Sequence, residues 1–409
     1  MFKKLLSLSI FSLFVGQAQA AGFQLQEYSV AGMGRSFAGS GIMGDDYSAL
    51  AYNPAGMEMN QKSGAQLGFT GIDVRTTVYG TSSGTNPTQP RYSGHTFTRL
   101  FRLMPNIFTQ YKVNDKTTIG AGLYAPYGLA TDYPNGWFGE THGQYSGITV
   151  VNFTPALSHK ITDTVSLGLG LNIQYAVAHL TGAVPYGGTT DIRGHDMGLG
   201  YIAGLTWKAT PTTRLGLSYR SHVRHKLMGK NEPRGSIIPY LRGNQFSMNA
   251  RITTPETVLF SAAQEIGSKW TLSGSARWTR WSRFERLTLN QENRIPLNST
   301  HENWRDTWFF ALGADYKLNK NLTLRVGSAY DQSAISSPEY RTPRIPDARR
   351  IWVSGGLSYQ RDNWQVDLGY AHLFIKKADA FGTADGAGYY SGHYDSKSDM
   401  GGIQFQYKF

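Results

Sequence analysis

The sequence predicts an all-β fold, a 14-stranded antiparallel transmembrane β-barrel with an N-terminal plug in its lumen. Three observations predict it: few charges with many aromatics and glycines, long runs of strictly alternating hydropathy, and connections that alternate between short and long. Of 409 residues only 17% are charged and 13% aromatic, with 47 Gly, 24 Tyr and 9 Trp, whereas a soluble globular chain carries roughly 25% charged residues. There is no Cys and mean hydropathy is negative, which excludes a disulfide-stapled secreted domain and a helical membrane protein. The formal charge of +12 is spread singly among aromatics, with no basic run, so no nucleic-acid partner is expected. The phosphates of lipopolysaccharide and the surrounding outer-membrane lipid suit such a surface better.

Residues 1–20 read as a signal peptide. Lys3 and Lys4 precede the apolar run Leu5 to Val15, and Ala18-Gln19-Ala20 offers a cleavage site. The apolar run is too short to span a bilayer as a helix. Residues 21–62 follow without alternation, small and Gly-rich, and read as a compact hatch folded inside a lumen that fourteen strands leave wide enough.

Residues 63–409 read as the barrel. From Val165 to Val177, Val165, Leu167, Leu169, Leu171 and Ile173 share one face while Ser166, Gly168, Gly170 and Asn172 share the other. The same period runs through Trp270 to Trp278, Leu322 to Gly327 and Trp364 to Tyr370. Tight turns are predicted at Asn114-Asp115, Ile161 to Asp163, Ala209 to Thr212, Gly267-Ser268, Leu318 to Asn321 and Gln360 to Asn363. Long polar loops are predicted over residues 76–103, 130–147, 181–194, 228–244, 285–303, 334–348 and 377–395. Short turns at one end, long loops at the other and an even strand count are the outer-membrane pattern. Trp270, Trp281, Trp304, Trp308, Trp352 and Tyr359 lie near strand ends, where interfacial girdles are expected. The alternating terminus Ile403, Phe405, Tyr407, Phe409 ends on the aromatic residue typical of such barrels.

No chemistry-bearing motif survives its context test. Gly32-Met33-Gly34 with Gly39 lacks the preceding strand of a phosphate loop. Asp45-Asp46 has no further donors at calcium-loop spacing, so a salt bridge to Arg35 is expected instead. The histidines form no metal-ligand spacing, and no G-x-S-x-G elbow occurs. His301-Glu302 and His393 near Asp395 read as solvated loop residues. No catalytic residue, metal or cofactor is expected.

The mature N-terminus Ala21-Gly22-Phe23-Gln24-Leu25, followed by Gly32-Met33-Gly34-Arg35 and Asn53-Pro54-Ala55, resembles the long-chain fatty acid transporter and P1 family of Gram-negative outer membranes. The likeness continues through Pro105-Asn106, Tyr127-Gly128-Leu129-Ala130-Thr131, Tyr219-Arg220-Ser221, Trp281-Ser282-Arg283-Phe284 and Ile345-Pro346-Asp347. It implies a multi-pass, monomeric outer-membrane channel and no enzyme. The implied cargo is a long-chain fatty acid or another hydrophobic small molecule, with detergent or lipid able to occupy the lumen. It also implies that Asn53, Pro54 and Ala55 belong to the hatch, and that Pro126, Tyr127 and Gly128 mark an inward kink of the third strand that opens the wall sideways. Proline and glycine fit that role, since one cannot donate to the ladder and the other accepts a bulge. The basic residues that hold a carboxylate in fatty-acid members align with Gly182 and Thr300, so His179 and Arg305 nearby are the substitute candidates. The loop from Thr181 to Gly194 is shorter than in those members. An aromatic-hydrocarbon channel is the alternative within the family; a general porin and an outer-membrane hydrolase are the alternatives outside it.

Overall fold

The structure is a computed structural model describing residues 22–83, 92–183, 188–235, 244–291, 296–382 and 388–409. The signal-peptide reading falls on residues 1–20 and lies outside the described residues. Among the described residues the chain forms a closed barrel of 14 antiparallel strands. In order they are β1 (Gly64–Ser82), β2 (Tyr92–Asn114), β3 (Thr117–Asp132), β4 (Tyr145–Lys160), β5 (Val165–Ala183) and β6 (Thr189–Lys208). Four consecutive strands then follow in two segments each: β7 (Thr213–Arg220, Val223–Asn231), β8 (Phe246–Thr254, Thr257–Ile266), β9 (Trp270–Thr279, Arg286–Gln291) and β10 (Pro296–His301, Thr307–Lys317). The last are β11 (Leu322–Asp331), β12 (Arg350–Arg361), β13 (Trp364–Ile375, Ala378–Gly382) and β14 (Tyr390–Lys408). β14 closes on β1 in an unbroken register from Gly64↔Lys408 to Ser82↔Tyr390, which leaves no sheet edge for the bilayer to expose.

Alternation sorts the two faces of every strand. On β5, Ser166, Gly168, Gly170, Asn172 and Gln174 are buried inward, whereas Leu167, Leu169 and Leu171 are exposed outward, Leu169 to 63%. The exposed apolar belt is the face that meets lipid. No described helix is long and apolar enough to cross a membrane. All six tight turns fall at the same end, between β2 and β3, β4 and β5, β6 and β7, β8 and β9, β10 and β11, and β12 and β13.

Two expectations need correction. Much of what reads as long loop is strand: β1 continues to Ser82 and β2 starts at Tyr92, so the interval 76–103 is mainly ladder. Polar side chains such as Thr76, Thr77, Ser93, Thr96 and Thr98 mark the passage into water, to which backbone pairing is indifferent. Among the described residues, the extended irregular connections that remain are residues 133–144 and 332–349. Of the expected girdle aromatics, Trp270, Trp308 and Tyr359 are exposed, but Trp281, Trp304 and Trp352 are buried. Trp281 and Trp304 lie in the interruptions of β9 and β10, where the face parity is reset, and Trp352 points into the lumen against Phe37.

The lumen is filled by the N-terminal segment, which carries helix α1 (Val30–Gly34), helix α2 (Ala49–Tyr52) and a 3₁₀ turn (Pro54–Met59). Ser29 caps α1 through Gly32 N. The expected Arg35–Asp45 ion pair forms at 2.6 Å and extends into the wall. Arg35 also reaches Asp315 of β10 at 3.2 Å, and Arg325 of β11 reaches Asp45 at 2.9 Å. Asp46 takes another part, accepting from Ser29 Oγ and from Ser48 N and Oγ.

Candidate functional site

The Asn-Pro-Ala segment is seated in a slot of wall glycines. Asn53 Oδ1 accepts from Ala55 N at 3.1 Å, capping the 3₁₀ turn, while Asn53 Nδ2 donates to Leu205 O of β6 at 3.0 Å. A methyl group on Gly204 would lie 1.9 Å from Asn53 Oδ1, and one on Gly168 would lie 2.2 Å from Ala55 N. Close approach of plug to wall therefore requires glycine at both positions.

Above this seat the wall is discontinuous. β2 and β3 pair from Asn114↔Thr117 only as far as Ile107↔Leu123, and from Tyr124 onward β3 has no described ladder partner in β2. On its other side β3 shifts register against β4 between Tyr124 and Tyr127. Ala125, Pro126, Tyr127, Gly128 and Leu129 are all buried, so the bulge turns this stretch inward. The vacated edge is taken by the N-terminus: Leu25 N donates to Pro126 O, and Gly128 N to Phe23 O, both at 2.8 Å. Pro126 lacks an amide hydrogen and contributes its carbonyl alone. The Tyr127 hydroxyl crosses the lumen to Pro255 O at 3.1 Å.

Beside the kink lies an apolar chamber of about 950 Å³ including its open mouth. Phe23 and Leu129 face it from the plug and β3, and Ile148, Leu180, Leu227 and Ile252 continue the lining across the wall. Phe23 is held in an aromatic cluster, 4.7 Å from Trp281, 5.7 Å from Phe284 and 5.9 Å from Trp304 between ring centres. The connection 332–349 folds inward over the chamber. Asp347 pins it by accepting from Ser333 Oγ at 2.7 Å and Ala334 N at 2.9 Å while pairing with the buried Arg350. The loop 133–144 braces it where Tyr133 Oη donates to Pro343 O at 2.9 Å. Burial beside Tyr390 keeps that phenol well above its ordinary pKa and so a donor.

Polar groups lining the chamber are fewer than apolar ones: Arg344 and Thr342 from the inward loop, Thr300 from β10 and Glu302 from its interruption, Asn249 from β8, Ser146 from β4, and Arg193 from β6, which is exposed and paired with Asp191. Arg344 spans the mouth, donating from Nη1 to Ser146 Oγ at 2.8 Å and Thr181 O at 3.2 Å. Its Nη2 lies 3.1 Å from where a side chain on Gly182 would begin. The two basic candidates read from the sequence lie elsewhere. His179 is on the face opposite chamber-lining Ala178 and Leu180, and its Nε2 lies 2.9 Å from Asp191 Oδ1. Arg305 is exposed and donates from Nε to Ser333 O at 3.2 Å. Sequence reading missed Arg344; its one local signal is a cation set in Pro343-Arg344-Ile345-Pro346, an otherwise apolar and stiff stretch.

Lipid-facing belt, filled lumen, interrupted wall and greasy chamber together define a plugged β-barrel channel for hydrophobic compounds. Residues 11–409 match the family model for "Outer membrane protein transport protein (OMPP1/FadL/TodX)", and the chain belongs to that family of Gram-negative outer-membrane transporters. It is a transport channel, not an enzyme. It is 28% identical to a long-chain fatty acid transport protein of Escherichia coli O6:H1, over 97% of this chain and 96% of the relative. It is 28% identical to outer membrane protein P1 of Haemophilus influenzae, over 89% of this chain and 88% of that one. Among solved structures, a Pseudomonas aeruginosa FadL homologue superimposes with TM-score 0.85 at 25% identity, covering 95% of this chain and 100% of that one. The Ralstonia pickettii toluene transporter TbuX shares the fold, with TM-score 0.65 at 18% identity over 95% and 99% of the two chains.

Proposed function

We propose that this protein takes up long-chain fatty acids, capturing them in the apolar chamber and releasing them sideways through the break between β2 and β3. The observation that carries the reading is Arg344, a guanidinium at the rim of an otherwise greasy chamber beside Gly182. Arginine is the side chain best matched to a carboxylate, and an acyl chain gains roughly 0.8 kcal/mol for each CH₂ taken from water. The lining from Leu180 to Leu129 leads the chain toward the kink, where β3 lacks its β2 partner. An aqueous pore would give such a molecule no advantage, and lateral release delivers it into lipid. The similarity to long-chain fatty acid transport proteins supports the same cargo.

The test is uptake of labelled oleate by cells lacking their own transporter. They would express at matched surface level the intact protein, its Arg344→Gln variant, or a deletion of Asn53 to Ala55. Restoration by the intact protein alone, with partial loss in Arg344→Gln, is the expected result. No restoration by the intact protein overturns the fatty-acid reading.

A further inference from the structure

Phe23 lines the apolar chamber from the plug, and its neighbour Gln24 borders a second cavity of about 440 Å³, open side included, between the plug and the wall from β6 to β10. Two arginines enter this second cavity, Arg220 of β7 and Arg277 of β9. Among the described residues, five arginines are buried: Arg35, Arg220, Arg277, Arg325 and Arg350. Arg35, Arg325 and Arg350 each have a carboxylate within ion-pair distance. Arg220 and Arg277 have only neutral acceptors. Arg220 donates to Tyr124 Oη at 3.2 Å, Asn172 Oδ1 at 3.4 Å and Ala51 O. Arg277 donates from Nη1 to Gln26 Oε1 at 2.9 Å and stacks 4.9 Å from the centre of the Phe309 ring.

Two like charges buried in one cavity with no carboxylate in its lining are costly, and Glu27, an acid with an electrostatic influence on Arg277 in this region, makes no ion pair with it. The acid next in sequence does not enter it: Glu27 lines a different cavity, with Met104, Pro105 and Tyr124. Donors are left over as well. Arg277 Nε and Gln26 Nε2 are buried and make no hydrogen bond, and both residues line the cavity. Surplus positive charge and surplus N–H groups lining one cavity are the requirements of an anion.

We propose that a small anion, a carboxylate or a halide, binds between Arg220 and Arg277. Bound there, it joins the wall to the plug at Gln26 and Ala51, the two plug residues these arginines already hold. A carboxylate would come from the cargo, a halide from solution.

Crystals of the purified full chain soaked in bromide, with and without laurate, test this by anomalous scattering at the bromine edge. A bromide peak between the two guanidiniums is expected. Its displacement by laurate assigns the site to the cargo carboxylate, and its persistence assigns it to an inorganic anion; both support the site. The companion measurement is the bromide dependence of the melting temperature at constant ionic strength. Arg277→Gln is expected to need at least tenfold more bromide for the same rise, and Arg277→Lys to retain most of the effect. Absence of both bromide and laurate from the cavity of the folded protein overturns the proposal, as does an Arg277→Gln variant that responds to bromide as the parent does. Neither readout depends on oleate uptake, so this site and the fatty-acid reading can fail separately.

Discussion

Arg344 Nη2 lies 3.1 Å from the point at which a Gly182 side chain would begin, so a cation from the inward loop occupies the space that a basic residue on β5 would otherwise fill. That guanidinium comes from the loop between β11 and β12, on the opposite side of the barrel from β5.

That relationship predicts a rescue. A hydrogen bond to a charged group contributes about 1.5–3 kcal/mol, so Arg344→Gln is expected to weaken fatty-acid binding by about 10- to 100-fold. Adding Gly182→Arg should recover much of it. Binding of a neutral aromatic compound should change little in either variant. Equilibrium dialysis of labelled laurate and labelled toluene against the purified variants reads all of these effects.

The glycine slot predicts that Gly204→Ala and Gly168→Ala unseat the plug. A methyl group at either place overlaps Asn53 or Ala55 at about 2 Å; at Gly168 the obstacle is backbone, and at Gly204 it is the Asn53 amide, fixed by its bonds to Ala55 N and Leu205 O. Raised and fluctuating conductance in planar bilayers, against a quiet parent, is the expected outcome. Unchanged traces from folded Gly204→Ala protein would show that the seat gives way without opening a path.

Pro126→Val together with Gly128→Val should restore strand character to the kink and bring β3 back toward β2. If cargo leaves through that break, oleate uptake falls at least tenfold while heat-modifiable mobility on gels still reports a folded barrel. Full uptake by the double variant would rule out this exit.

Asp347→Ala removes the anchor of the inward loop and leaves Arg350 buried with only Asp331, at 3.6 Å. Breaking a buried pair by deleting one partner costs about 3–5 kcal/mol, so a lower melting temperature is expected by calorimetry. Because the same loop carries Arg344, the oleate concentration giving half-maximal uptake should rise as well.

The barrel was legible because each observation that predicts it is local. Alternation on β5 and turn residues such as Asn114-Asp115 need no knowledge of register. The Arg35–Asp45 pair was legible for a related reason: only ten residues of a compact segment separate them. What escaped reading depends on distant parts of the chain. Nothing near Phe23 announces that it hydrogen-bonds a strand beginning at Thr117, since that contact exists only because β2 has left the edge of β3. Trp281 looks like a girdle residue until the interruption of β9 resets which face points inward. His179 satisfied proximity to Gly182 in sequence, but adjacent residues of a strand face opposite sides, and the side that lines the chamber is met from across the barrel by Arg344.

Closure of β14 on β1 has a consequence for assembly. The plug precedes β1 in the chain and is ringed by all fourteen strands, while Asp45 and Arg35 are paired with Arg325 and Asp315 of the wall. Once the last seam zips from Gly64 to Ser82, a segment of this bulk has no lateral way in. The expected order is that the N-terminal residues are gathered into the nascent sheet before the final hairpin docks, so that the wall curls around them as a mould sets around its insert. In that order, the stretch that later obstructs the lumen is also the template on which the lumen takes its shape.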